Sequence, residues 1–71
     1  MNLSLYAPQQ RVYVTFEDGE SECVAIQDTL EREEAIDFKE IWENARHKPI
    51  VVVSLETTKG DTLVEYHFKP E

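Results

Sequence analysis

Cysteine occurs once in these 71 residues, glycine twice, and no apolar run approaches the ~20 residues that a membrane-spanning helix needs. Each shortage excludes something. Cys23 has no partner for an intrachain disulfide, and neither His47 nor His67 stands at a ligand spacing from it, so no metal site is expected. A domain this short buries only ~60% of the surface its unfolded chain exposes. Without disulfide or metal, self-association or a bound partner is the remaining aid to stability. Gly19 and Gly60 both fall in turn signals, which leaves no glycine-rich loop to present a phosphate to a helix N-terminus, and no cofactor is expected. Met1 to Ala7 carries no basic residue, and Leu3, Leu5 and Tyr6 are broken by Ser4. No leader and no membrane association are read there, and a cytoplasmic location is expected.

Bases are also scarce, seven against fifteen acids, for a formal net charge of −8. The only basic cluster, Arg46, His47 and Lys48, is explained by the C-terminal dipole of a helix. Direct nucleic-acid binding, which depends on cations meeting phosphates, is not expected.

What is present is an alternation of apolar and polar residues in Arg11 to Phe16 and in Thr62 to Lys69, with a β-branched apolar run from Pro49 to Glu56. Val12, Val14 and Phe16 alternate with Arg11, Tyr13 and Thr15 and lead into Asp18-Gly19, a pair suited to a two-residue type I′ turn. That turn sets Phe16 opposite Ser21, Val14 opposite Cys23 and Val12 opposite Ala25. Asp28 to Ala35 is charged and lacks helical spacing, so it reads as an acidic loop or a ragged first turn. A helix is expected from Asp37, with Asp37 and Glu40 as capping pair, Ile36 and Ile41 as staple, and Phe38, Ile41, Trp42 and Ala45 as the buried face. Trp42 is expected to pack across the small residues Cys23 and Ala25. Pro49 stops the helix. A second hairpin turns at Lys59-Gly60, with Leu55, Val53 and Val51 opposite Val64, Tyr66 and Phe68, or at Gly60-Asp61, which shifts the pairing by two and leaves the two faces unchanged. Leu3 to Tyr6 is a candidate short edge strand. The fold class is α+β: one small acidic domain, residues 1–71, of order ββαββ, with a four-stranded, mainly antiparallel sheet and one helix packed on one face.

Nothing in this pattern points to catalysis. Carboxylate pairs such as Glu17 with Glu20 are accounted for by turn and cap chemistry, and Cys23 reads as a small buried hydrophobe with no histidine placed to activate it.

Two surfaces remain. From Glu17 to Glu43 there are eleven acids and two bases, Arg32 and Lys39, a net of −9, while the rest of the chain sums to +1. Glu17, Asp18, Glu20, Glu33, Asp37, Glu40 and Glu43 are therefore read as an acidic patch for a basic surface on a larger protein. The sheet face turned from the helix is expected to show Tyr13, Val24, Ile26, Ile50, Val52 and Leu63, an apolar area suited to a partner or to a homodimer. The leading functional expectation is a non-enzymatic protein-binding module that regulates or inhibits a larger partner. The alternatives are a nucleic-acid mimic that blocks a DNA- or RNA-handling protein through residues 17–43, as phage or plasmid antagonists do, and a small enzyme assembled across a dimer.

Overall fold

The computed structural model describes residues 10–69, so the expected strand at Leu3 to Tyr6 lies outside the described residues. The elements are β1 (Arg11–Phe16), β2 (Ser21–Ile26), α1 (Arg32–Arg46), β3 (Ile50–Glu56) and β4 (Thr62–His67). They form one antiparallel sheet of order β2-β1-β3-β4 with a single helix against it, the expected ββαββ arrangement. Since β2 and β3 are each antiparallel to β1 and flank it, they run the same way. The chain between them must cross a face of the sheet, and α1 makes that crossing over β1 and β3.

The core lies between helix and sheet. Val12, Val14 and Phe16 of β1 and Ile50, Val53 and Leu55 of β3 are buried with Leu30 and Ala35, and Val24, Ala25, Phe38, Trp42, Val64, Tyr66 and Phe68 pack around them half-buried. In the second hairpin Leu55 faces Val64 and Val53 faces Tyr66, as alternation requires.

Both turns are one residue longer than a two-residue hairpin. Phe16 N–H donates to the Glu20 carbonyl and Gly19 N–H to the Phe16 carbonyl, while Thr57 N–H donates to the Asp61 carbonyl and Gly60 N–H to the Thr57 carbonyl. Gly19 (φ +92°) and Gly60 (φ +90°) alone take positive φ in these turns, whereas a type I′ turn at Asp18-Gly19 requires it of Asp18 as well. The added residue moves the pairing by one, and side chains near the tip exchange faces. Val14 therefore faces Glu22 rather than Cys23, and Tyr13 faces Cys23 on the outer side. A β-bulge at Val24 absorbs the shift, so that Val12 still faces Ala25. Cys23 is exposed, not buried, and Trp42 cannot pack across it.

The helix begins a turn and a half earlier than its pattern suggests. Glu31 is the N-cap; its carbonyl accepts from Ala35 N–H, and its own N–H donates to the Glu34 carboxylate. Leu30 and Ala35, the N′ and N4 positions of a hydrophobic staple, are both buried, and the Tyr66 hydroxyl donates to the Leu30 carbonyl at 3.0 Å. Asp37 is thus inside the helix and caps nothing. The buried side is Ala35, Phe38 and Trp42; Ile41 is 61% exposed and Ala45 is exposed, contrary to the expected face. At the other end His47 takes the left-handed conformation (φ 55°) and its N–H returns to the Glu43 carbonyl.

Candidate functional site

The start of α1 at Arg32 changes what its charges do. At about 100° per residue, Arg32, Lys39 and Arg46 recur every seven residues on the side that carries Ala35, Phe38 and Trp42. Glu33, Asp37 and Glu40 follow at i, i+4 and i+7 on the opposite side, with Asn44 continuing the row, and all four are exposed. Two of the three helix bases are held along the seam with the sheet. Lys39 bonds Glu43 at 3.0 Å and lies 5.6 Å from the Phe68 ring centroid. Arg46 donates to Glu22 from Nε (3.1 Å) and Nη2 (2.7 Å) and lies 5.1 Å from the Trp42 ring centroid. The outward row of the helix is left with carboxylates, and the third base, Arg32, stands exposed at the first turn on its flank.

Glu43 does not belong to that outward row. Its Oε2 accepts from the backbone N–H of Ile50 at 2.7 Å, the first residue of β3, while Oε1 takes Lys39. It is a half-buried structural acceptor, which removes it from the expected patch.

The acids of the β1–β2 tip are spread differently again. Lys48 reaches Asp18 Oδ2 and Glu20 Oε2, both at 3.0 Å, and lies over the Phe16 ring. Glu17 is exposed at the tip, with its N–H bonded to the Pro49 carbonyl. A bond from Glu20 N–H, and then Lys48, holds the Asp18 carboxyl below its ordinary value, and Arg46 does the same for Glu22. Lys48 and Arg46 are correspondingly raised by these acids. The cations at the helix C-terminus thus stand between the tip acids and the helix, and the expected patch divides into a bridged tip and an outward row of Glu33, Asp37 and Glu40.

Phe16, Glu20, Ser21, Glu22, Arg46 and Lys48 line a recess of about 340 Å³. Glu22 is held in its ionised form there, the opposite of the upward shift a carboxylic acid needs to donate a proton near neutral pH. His67 is on the far side of the sheet, exposed, 3.3 Å from Glu65. Among the described residues no three His, Cys, Asp or Glu side chains gather where they could hold a metal ion, and no helix is long and apolar enough to cross a membrane.

The outer sheet face is less apolar than alternation implied. Ile50 faces Phe16 and is 0% exposed, because a bulge at Val51 turns it inward. Val24, the extra residue of its own bulge, packs against the core. Tyr13 and Val52 remain at the centre of the face, with Ile26 (58% exposed) and Leu63 (53%) on the two edge strands. Three rows cross the face in the order β2, β1, β3, β4: Ile26, Arg11, Glu56 and Thr62; Cys23, Tyr13, Ser54 and Glu65; Ser21, Thr15, Val52 and His67. Of the contacts that organise these surfaces, Lys39–Glu43 had a local signal in its i,i+4 spacing. Arg46–Glu22 and Lys48–Asp18, 24 and 30 residues apart, had none. Comparison with known proteins finds no family model, no curated protein and no solved structure that matches this chain.

Proposed function

We propose that this chain is a small, non-enzymatic protein-binding module that engages a basic surface of a larger protein through the outward row Glu33, Asp37 and Glu40 of α1, and regulates that protein by occupying it. The observation that carries this reading is the division of charge across the helix: Lys39 and Arg46 are held along the seam with the sheet, and the carboxylates are left to solvent. A one-sign row on a rigid helix is what attracts and orients a cationic partner.

Imitation of a nucleic-acid backbone is the narrower form of the same idea. Along the helix, the three carboxylates span ~10 Å, about one charge per 5 Å, against one per ~3.4 Å on each DNA strand. That density is too low and the row too short to favour mimicry over ordinary charge pairing.

The test is capture from cell extract at ~50 and ~200 mM salt by the parent and by Glu33→Lys/Asp37→Lys/Glu40→Lys. The reading requires a stoichiometric partner that the parent holds at low salt, that weakens at the higher salt, and that the triple variant loses while remaining folded by circular dichroism. A partner held equally by both proteins, or none held by the parent, would sink it. Added duplex DNA that releases the partner would favour mimicry.

A further inference from the structure

We infer that the outer sheet face is the contact surface for a second copy of this chain, arranged about a two-fold axis that runs parallel to the strands between β1 and β3. The inference does not depend on the helix acids and goes beyond the proposed function.

The first support is charge. The chain as a whole carries −8, so most of its surface repels a second copy. On the outer face Arg11 stands with Glu56 and Glu65. Phe68 packs on the core, so the alternation carried past β4 places the exposed Lys69 on this face too. Two cations and two anions cancel. This is a surface by which two such molecules approach without like-charge cost.

The second support is how the rows map under the two-fold. Rotation about an axis along the strands exchanges β1 with β3 and β2 with β4 and keeps each row in place. Arg11 then lies over the partner's Glu56, and Glu56 over the partner's Arg11. Tyr13 lies over the row of the partner's Ser54, which is itself only 4% exposed, and Thr15 lies over the partner's Val52. At the rim Ile26 meets the corner formed by the partner's Thr62 and the partner's Leu63, twice over. Among the described residues, Ile26 and Leu63 are two of the three large hydrophobic side chains left exposed, and they stand on opposite edge strands where a monomer cannot bring them together. The rotation of ~30° usual between packed sheets shifts the outer rows by only a few Å, within the reach of an arginine.

The pairing also keeps the helix carboxylates of the two copies apart. Sheets ~10 Å apart with a helix behind each put the two helices ~30 Å from one another, well over the ~8 Å screening length at physiological salt. The face itself is only about 20 by 20 Å, short of the ~800 Å² per partner of stable complexes. Association is therefore concentration-dependent, with Kd on the order of 10–1000 μM.

Sedimentation equilibrium of the full chain from ~10 μM to ~1 mM tests it. A monomer–dimer equilibrium is expected, and a monomer throughout overturns the inference, including the case where some other segment of the same chain covers the face. Arg11→Glu and Glu56→Arg should each weaken self-association by at least ~10-fold, since the two-fold then sets like charges against each other. Mixed in equal amounts they should form a heterodimer tighter than either homodimer. A dimer indifferent to both changes and to their mixing overturns the proposed face. Should either variant fold poorly, dilution of the parent followed by NMR decides: the amides of Tyr13, Val52 and Ser54 should shift with concentration and those of Glu33, Asp37 and Glu40 should not, and the reverse pattern overturns the inference.

Discussion

Replacing Glu43 by alanine separates a structural carboxylate from a surface one. In the native fold Glu43 Oε2 accepts from the Ile50 N–H at 2.7 Å, and Ile50 is 0% exposed. Truncation leaves that donor without a partner where solvent does not reach, which costs ~1–3 kcal/mol. Loss of the Lys39 pair, an i,i+4 bridge with both side chains about three-quarters buried, adds ~0.3–0.5 kcal/mol. The better helix propensity of alanine returns a few tenths. The net loss of roughly 1–3 kcal/mol compares with a total of about 4–11 kcal/mol for a chain of this length. At ~4–8 °C per kcal/mol for a small domain, the melting temperature should fall by about 4–24 °C. Glu43→Gln keeps an acceptor at the same place and should lose less than half as much. Glu40→Ala, one turn away on the outward row, should stay within ~0.5 kcal/mol of the parent. Thermal melts followed by circular dichroism read all three. If Glu43→Ala and Glu40→Ala melt within ~2 °C of each other, the Ile50 bond contributes nothing and Glu43 returns to the outward acids.

Three further outcomes are expected. Trp42→Ala should cost ~2–3 kcal/mol, less than the 3–5 of a fully buried aromatic because Trp42 is half-buried, whereas Ile41→Lys should be near neutral in urea titrations; equal effects would mean that the helix is turned the other way. Gly19→Ala and Gly60→Ala should each lose ~1–2 kcal/mol from backbone strain alone, since a Cβ meets nothing within 4 Å at either site; an unchanged urea midpoint would contradict the positive φ. Asp18 and Glu22 are held below their ordinary values of 3.8 and 4.5, so their contribution to stability is complete above those values and is lost as pH falls through the lower folded ones. Melts from pH 6 down to 2 should therefore fall less steeply below about pH 4 in Glu22→Gln than in the parent, and identical slopes would rule out the Arg46–Glu22 pairing.

Much of the architecture was legible in local pattern. Alternation in Arg11–Phe16 and in Thr62–His67, the β-branched run from Ile50, and turn signals at both glycines identified four strands and their antiparallel hairpins. Apolar pairing in the second hairpin was right because both of its inner rows are large and hydrophobic, so only one register buries them. The helix was legible only in its second half. Its first turn is a run of acids whose helicity depends on Leu30 and Ala35 being buried, and Leu30 is secured by Tyr66, 36 residues away.

The candidate surfaces were less legible than the fold, and for a physical reason. Asp18-Gly19 is compatible with a two- or a three-residue loop, and that single residue decides which side of β2 faces the helix: Glu22 went inward to Arg46, and Cys23 outward to Tyr13. A bulge at Val51 likewise buried Ile50. The sequence by itself determined the element order, the apolar content of the core and the concentration of negative charge in residues 17–43, because these follow from periodicity and composition. Only the tertiary structure decided which of those charges are bound and which face solvent. Face assignment in a strand reverses with a shift of one residue, and the partners that fix it, Glu22 with Arg46, Asp18 with Lys48 and Glu43 with Ile50, come together only once the helix has crossed the sheet.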